Sequence, residues 1–144
     1  MKNLIETIDA LYTFILGGFA IFTIVNTKTG NRFTYKVVSK EVSEGRTLYF
    51  VSVLTGSDNN KDYSFLGTIF DNGQYYHGKR SRISKDAQSA KAFQWLLNRL
   101  DSHTDLGPVE AYHEGRCGRC GRKLTTPESI KSGFGPVCLG SLLG

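Results

Sequence analysis

Residues 19–54 read FAIFTIVNTKTGNRFTYKVVSKEVSEGRTLYFVSVL. Three runs rich in β-branched and aromatic residues, Phe19–Asn26, Arg32–Val42 and Arg46–Leu54, are separated by the short polar turns Thr27–Asn31 and Ser43–Gly45. Such runs suit the pleated, half-buried surface of a sheet. Side chains alternate along a strand, so Phe33, Tyr35 and Val37 share one face. Connections this short join antiparallel neighbours, and the stretch predicts a meander.

The pattern continues on both sides. After the polar loop Thr55–Asp62, Tyr63–Phe70 predicts another strand. Asn72-Gly73 signals a two-residue hairpin, with Gln74–Gly78 returning as a short edge strand. Upstream, Leu4, Ile5, Ile8, Leu11, Tyr12 and Ile15 recur at three- and four-residue steps and predict an amphipathic helix over 2–16, ended by Gly17-Gly18. Downstream, Ala87, Ala90, Phe93, Leu96, Leu97 and Leu100 predict a helix over about 85–100, capped by Ser84 with Asp86 in its first turn. The expected fold is α+β: an antiparallel meander of four to five strands with helices packed on one face. Leu106-Gly107-Pro108 breaks the chain, dividing a domain over 1–105 from a C-terminal lobe over 106–144.

A chain of 144 residues with 40% hydrophobic and 22% charged residues can bury a core without cross-links. Its charge is uneven. Residues 1–78 hold seven Lys/Arg and seven Asp/Glu, while 79–144 hold eleven against six, the whole net charge of +5. A basic half on a neutral half suits an anionic partner. The uncharged run Leu11–Val25 has 15 residues, where a membrane span needs roughly 20, and Gly17-Gly18 interrupts it. Glu6 and Asp9 give the wrong balance for a signal peptide, so no membrane partner and a cytoplasmic location are expected.

The cysteines carry the sharpest signal. There are three, an odd number that argues against a closed disulfide framework, and all lie in the last 28 residues. Cys117-x-x-Cys120-Gly121 has the form of a zinc knuckle: Gly118 and Gly121 allow the tight turn that converges two thiolates on one ion. Arg116, Arg119 and Arg122 around it favour thiolate over thiol. Thr126-Pro127-Glu128 starts a helix, Gly133-Phe134-Gly135-Pro136 stops it, and Cys138 opens the last apolar stretch as a third ligand. A knuckle followed by a ligand opening a helix is a treble-clef-like plan. Tetrahedral structural Zn2+ takes four ligands. His113, four residues before Cys117, is the nearest candidate for the fourth; His77, His103, Asp105 and Glu114 are rivals. A thioredoxin-type pair would need a βαβ setting and would leave Cys138 idle. A catalytic zinc would ordinarily keep a Glu in an H-x-E or H-E-x-x-H arrangement, which is absent.

The run GRCGRCGRKLTTPESIKSGFGPVC, residues 115–138, resembles the zinc motif of a domain family of unknown function found in phage and mobile-element proteins. The family pattern also has a His at the position of His113. The segments KTGNRFTYKV, FVSVLTGSDN and DYSFLGTIF are similar to a stretch that often precedes this motif in phage proteins. The resemblance implies a phage or prophage origin and a role in the host cytoplasm. It is also similar to zinc-containing anti-CRISPR proteins, which inhibit type II RNA-guided nucleases. The expected function is therefore a non-enzymatic inhibitor that binds such a nuclease, or another bacterial defence protein, and blocks its engagement of nucleic acid. The net positive charge speaks against DNA mimicry.

The alternative is an accessory protein that binds nucleic acid itself. Tyr75, Tyr76 and His77 beside Lys79, Arg80 and Arg82 would offer stacking surfaces along a phosphate track. The candidate partner-binding residues are Lys79, Arg80, Arg82, Lys85, Arg119 and Arg122. Neither a G-x-S-x-G nucleophile nor a phosphate-binding P-loop occurs, and no enzyme is expected.

Overall fold

Thr7 decides where the first helix begins: in extended conformation, its side chain accepts the Ala10 N–H at 3.0 Å. In the computed structural model, which describes residues 3–58 and 60–143 with side chains through Gly140, Leu4 and Ile5 precede this cap as a short strand. Lys2, in the expected first helix, and Asn59, in the expected polar loop, lie outside the described residues. The elements are β1 (Leu4–Ile5), α1 (Ile8–Ile15), β2 (Phe19–Asn26), β3 (Arg32–Ser43), β4 (Arg46–Leu54), β5 (Tyr63–Ile69), β6 (Tyr75–His77), α2 (Gln88–Asp101), β7 (Val109–His113), α3 (Pro127–Ser132) and α4 (Pro136–Leu143).

The fold is α+β, with the expected antiparallel meander running β2 to β6, but the sheet has seven strands in the order β1-β7-β2-β3-β4-β5-β6. The two additions come from outside the meander. β7 lies antiparallel along the free edge of β2, Phe22 facing His113, and β1 closes the new edge with Leu4 opposite Tyr112. The sheet thus takes in residues 109–113, from beyond the break at Leu106-Gly107-Pro108. Unpaired backbone groups along β2, the most apolar strand, would be costly if left bare, and β7 supplies their partners.

Two smaller differences have local causes. The expected two-residue hairpin at Asn72-Gly73 is a longer turn: the Gly73 N–H bonds the Phe70 carbonyl at 2.9 Å, and Gly73 has φ +85°. The long helix starts at Gln88, because the Ser84 hydroxyl accepts the Asp86 N–H and its carbonyl accepts the Ala87 N–H, fixing a turn ahead of the helix.

One face of the sheet carries the core. Ala20, Phe22, Ile24, Tyr35, Val37, Val51, Val53 and Ile69 pack with Leu11, Phe14 and Ile15 of α1 and Phe93, Leu96, Leu97 and Leu100 of α2. Phe93 sits between Tyr35 and Tyr75, 4.9 Å from each ring, and the Tyr35 hydroxyl donates to the Ser89 carbonyl at 2.7 Å. Burial pushes the Tyr35 and Tyr75 phenols up. The alternate residues form the outer face, mostly half-exposed: Lys36 opposite Ser52, Val38 opposite Phe50, Leu54 opposite Tyr63 and Thr68 opposite Tyr76.

Candidate metal centre

Beyond β7 the chain turns at Gly115 (φ +83°) and doubles back, with Arg116 bridged to Lys123. Between them the Cys117 N–H bonds the Arg122 carbonyl at 2.8 Å and the Gly121 N–H bonds the Cys117 carbonyl at 2.9 Å. Gly121 has φ +77°, a conformation only glycine adopts cheaply, so the loop closes within four residues. The Thr126 hydroxyl caps α3, Pro127 fills its first turn, and Gly133 ends it at φ +81°. The Gly118 N–H bonds the Gly133 carbonyl at 2.8 Å, returning the end of α3 to the cysteine loop. Pro136 then opens α4, with Cys138 in its first turn.

These turns gather three sulfurs. The Sγ atoms of Cys117, Cys120 and Cys138 lie within 4.8 Å of one another. A tetrahedral ion with metal–sulfur bonds of about 2.3 Å would set its sulfurs roughly 3.8 Å apart, so the group fits a metal after minor contraction. Cys117 is buried, Cys138 half-buried and Cys120 exposed. Burial raises the Cys117 thiol, but N–H groups of Gly135, Cys120 and Arg119 and the Cys120 side chain outweigh it and pull the thiol down to about 7. The Arg119 N–H lies 3.4 Å from this sulfur. Burial raises the Cys138 thiol, and its two cysteine neighbours raise it further. The Cys117 thiolate forms readily and that of Cys138 is repelled by its neighbours, a charge distribution that a divalent cation relieves.

Gly17-Gly18 explains how the loop docks. The Phe19 N–H bonds the Gly118 carbonyl at 2.9 Å, and a Cβ on Gly17 would stand 2.6 Å from that oxygen. A Cβ on Gly118 would stand 2.6 Å from the buried Phe14 ring. Backbone meets backbone here because neither glycine has a side chain.

His113 lies elsewhere than its spacing suggested. The pleat of β7 turns it onto the core face, 3% exposed, with its ring 5.9 Å from that of Phe14. Its Nδ1 accepts the Gly115 N–H at 2.9 Å, and its Nε2 donates to the Ile130 carbonyl at 2.5 Å. Among the described residues, the group of mutually close donors has no fourth member. The rivals are also elsewhere: His77 Nε2 pairs with the Ile83 carbonyl at 2.8 Å, His103 Nδ1 is 3.5 Å from Asp9, Asp105 accepts the Gly107 N–H at 2.6 Å, and Glu114 is exposed.

The six candidate partner residues are all exposed but do not form one patch. Lys79, Arg80, Arg82 and Lys85 follow β6 at one sheet edge, whereas Arg119 and Arg122 belong to the cysteine loop, docked at the start of β2. Tyr75 is core; Tyr76 is 57% exposed. Sequence reasoning missed the outer-face cleft that Tyr76 enters. It has a volume of about 750 Å³, is lined by Phe65, Phe70 and Tyr76, and is rimmed by Arg46, Lys79 and Arg80. Tyr63 and Phe65, two positions apart in β5, were the available signal. Farther along the same face, Lys36 lies over the Phe19 and Tyr63 rings, at 5.5 and 5.0 Å. The Tyr63 hydroxyl, shielded from solvent, has no hydrogen-bond partner among the described residues.

A family described as one of unknown function, DUF6011, matches residues 107–143, the segment that carries the cysteines. No curated protein and no solved structure matches the chain. No helix among the described residues is long and apolar enough to cross a membrane.

Proposed function

We propose that this chain is a non-enzymatic binding protein that holds single-stranded nucleic acid on the outer face of its sheet. The observation that carries the reading is the cleft beside β6, where three aromatic rings stand inside a rim of three cations. Bases of any identity stack on aromatic faces, and Lys or Arg beside them neutralises phosphates. Arg46 is 3.3 Å from Asp71, the one acidic side chain at this cleft, so the rim keeps a net positive charge. The cysteine lobe, read as a treble-clef-like motif around one structural zinc, shapes the far end of that face and takes no part in chemistry.

The test is fluorescence anisotropy with labelled single-stranded DNA and RNA oligonucleotides over a salt series. Three neutralised phosphates predict a log–log salt slope of about −2. Reversal of Lys79 and Arg80 to Glu should weaken binding and flatten the slope. Binding that is absent, or unaffected by the reversal, overturns the reading.

A second reading rests on the resemblance of the cysteine segment to phage zinc motifs: occupancy of a bacterial RNA-guided nuclease of type II CRISPR systems, in the cytoplasm of a phage host. A pull-down from host lysate separates the two. Capture that survives nuclease digestion of the lysate favours a protein target; capture lost on digestion favours nucleic acid.

A further inference from the structure

The metal group presents a problem of valence. Three thiolates converge, structural zinc takes four ligands, and the histidine whose spacing suits the fourth place is committed elsewhere. A neutral imidazole has one N–H and one lone pair. In His113 the Nδ1 lone pair accepts from Gly115 and the Nε2 proton goes to Ile130, so neither nitrogen is free for a metal. Ligation through Nδ1 would displace the Gly115 N–H and leave it unpaired inside a site only 3% exposed, and ligation through Nε2 would do the same to the Ile130 carbonyl. One helical turn after Cys138 the chain has Ser141 and Leu142, neither a usual zinc ligand. Cys120, by contrast, is exposed, so the sulfur group is open to solvent on its side.

We infer that the bound metal keeps an exchangeable fourth position, filled by water in the isolated protein and open to one monodentate nitrogen or sulfur donor from outside the chain. Charge supports a neutral fourth ligand. A divalent ion with three thiolates carries a net −1, which the exposed Arg116, Arg119 and Arg122 already balance. His113 is then a positioning residue: through Ile130 and Gly115 it fastens α3 and the base of the cysteine loop to β7. The inference rests on metal binding at the three cysteines and is independent of the nucleic-acid reading.

The experiment is cobalt substitution of the full-length protein in imidazole-free buffer, read by visible absorption. The expected result is a tetrahedral spectrum that shifts saturably as imidazole is added. His113→Gln should keep the wild-type bands and the same imidazole response, although its thermal stability falls. A wild-type spectrum insensitive to imidazole, or bands altered in His113→Gln, would overturn the inference. If that variant does not fold, X-ray absorption of the zinc-loaded wild type decides. Histidine scattering without added imidazole refutes the open position, and three sulfurs with one light atom and no such scattering support it. A chain that binds neither metal would sink this inference together with the zinc assignment, and leave the nucleic-acid reading standing.

Discussion

From Phe19 to Leu100 the chain buries a continuous set of large side chains, among them Phe22, Tyr35, Leu66, Phe93 and Leu97, between a sheet and two helices. From Glu114 to Gly140 the buried hydrophobic residues are Cys117, Leu124 and Phe134. The first region has what burial can hold, since each large core side chain contributes about 1.5–3 kcal/mol. The second has too few such side chains to offset the entropy of ordering its backbone. It relies on backbone hydrogen bonds at positive-φ glycines, on docking against Gly17 and Phe14, and on whatever its three sulfurs bind. One chain therefore uses two stabilising strategies, and the difference is measurable.

The largest effect should come from the metal. Chelation, or Cys117→Ser, should lower hydrogen-exchange protection across residues 116–139 far more than across β3, β4 and β5, because a metal held by the three cysteines adds its binding free energy to the folding of this lobe alone. Loss of both regions in a single transition would break the distinction drawn above. Next in size, Phe93→Ala should cost about 3–5 kcal/mol by emptying the space between Tyr35 and Tyr75. Chemical denaturation should show that loss, while competition with a chelator shows unchanged metal affinity.

The seam between the regions should respond less. Gly118→Ala pushes a methyl group against the Phe14 ring and should cost about 1–3 kcal/mol, with metal affinity falling in the same variant. If stability drops and affinity does not, the docking and the site are uncoupled. Reversing Lys79 and Arg80 should leave melting within about 0.5 kcal/mol of wild type, as befits exposed side chains, whatever it does to nucleic-acid affinity.

The smallest effect is that of pH on the metal-free chain. Cys117 titrates at about 7 when folded, below its ordinary range near 8.5. Its thiolate therefore adds stability that is fully present above 8.5 and is lost as pH falls through 7. Thiolate absorbance near 240 nm should show one cysteine titrating early, and its loss in Cys117→Ser would assign it.

Much of this architecture was legible in the residues. The bounds of β2 and β4 follow from their runs of β-branched and aromatic residues, and the start of α3 from Thr126-Pro127. β1 was hidden because Leu4 and Ile5 also fit the helical period of Ile8 and Leu11; what makes them a strand is β7, which no local pattern reveals. His113 stands apart from the three sulfurs for a related reason. Its distance from Cys117 suited a ligand, but the pleat of β7 and the position of the Ile130 carbonyl set where the ring points. Gly17-Gly18 was visible as a break between helix and strand, while its role in admitting the cysteine loop depends on a contact about a hundred residues along the chain.

The place of β7 has a consequence in time. The sheet is completed from the middle: its second and third strands, β7 and β2, join segments far apart in sequence, and Leu4 pairs with Tyr112 across 108 residues. Such closures are slow, because the chain loses loop entropy before the contacts return any stability. Until residue 113 has left the ribosome, β2 displays an unpaired edge of Phe22, Thr23, Ile24 and Val25, a template for pairing with another nascent copy. Refolding should therefore be sensitive to protein concentration, and a truncation before Val109 should aggregate instead of yielding a smaller soluble domain.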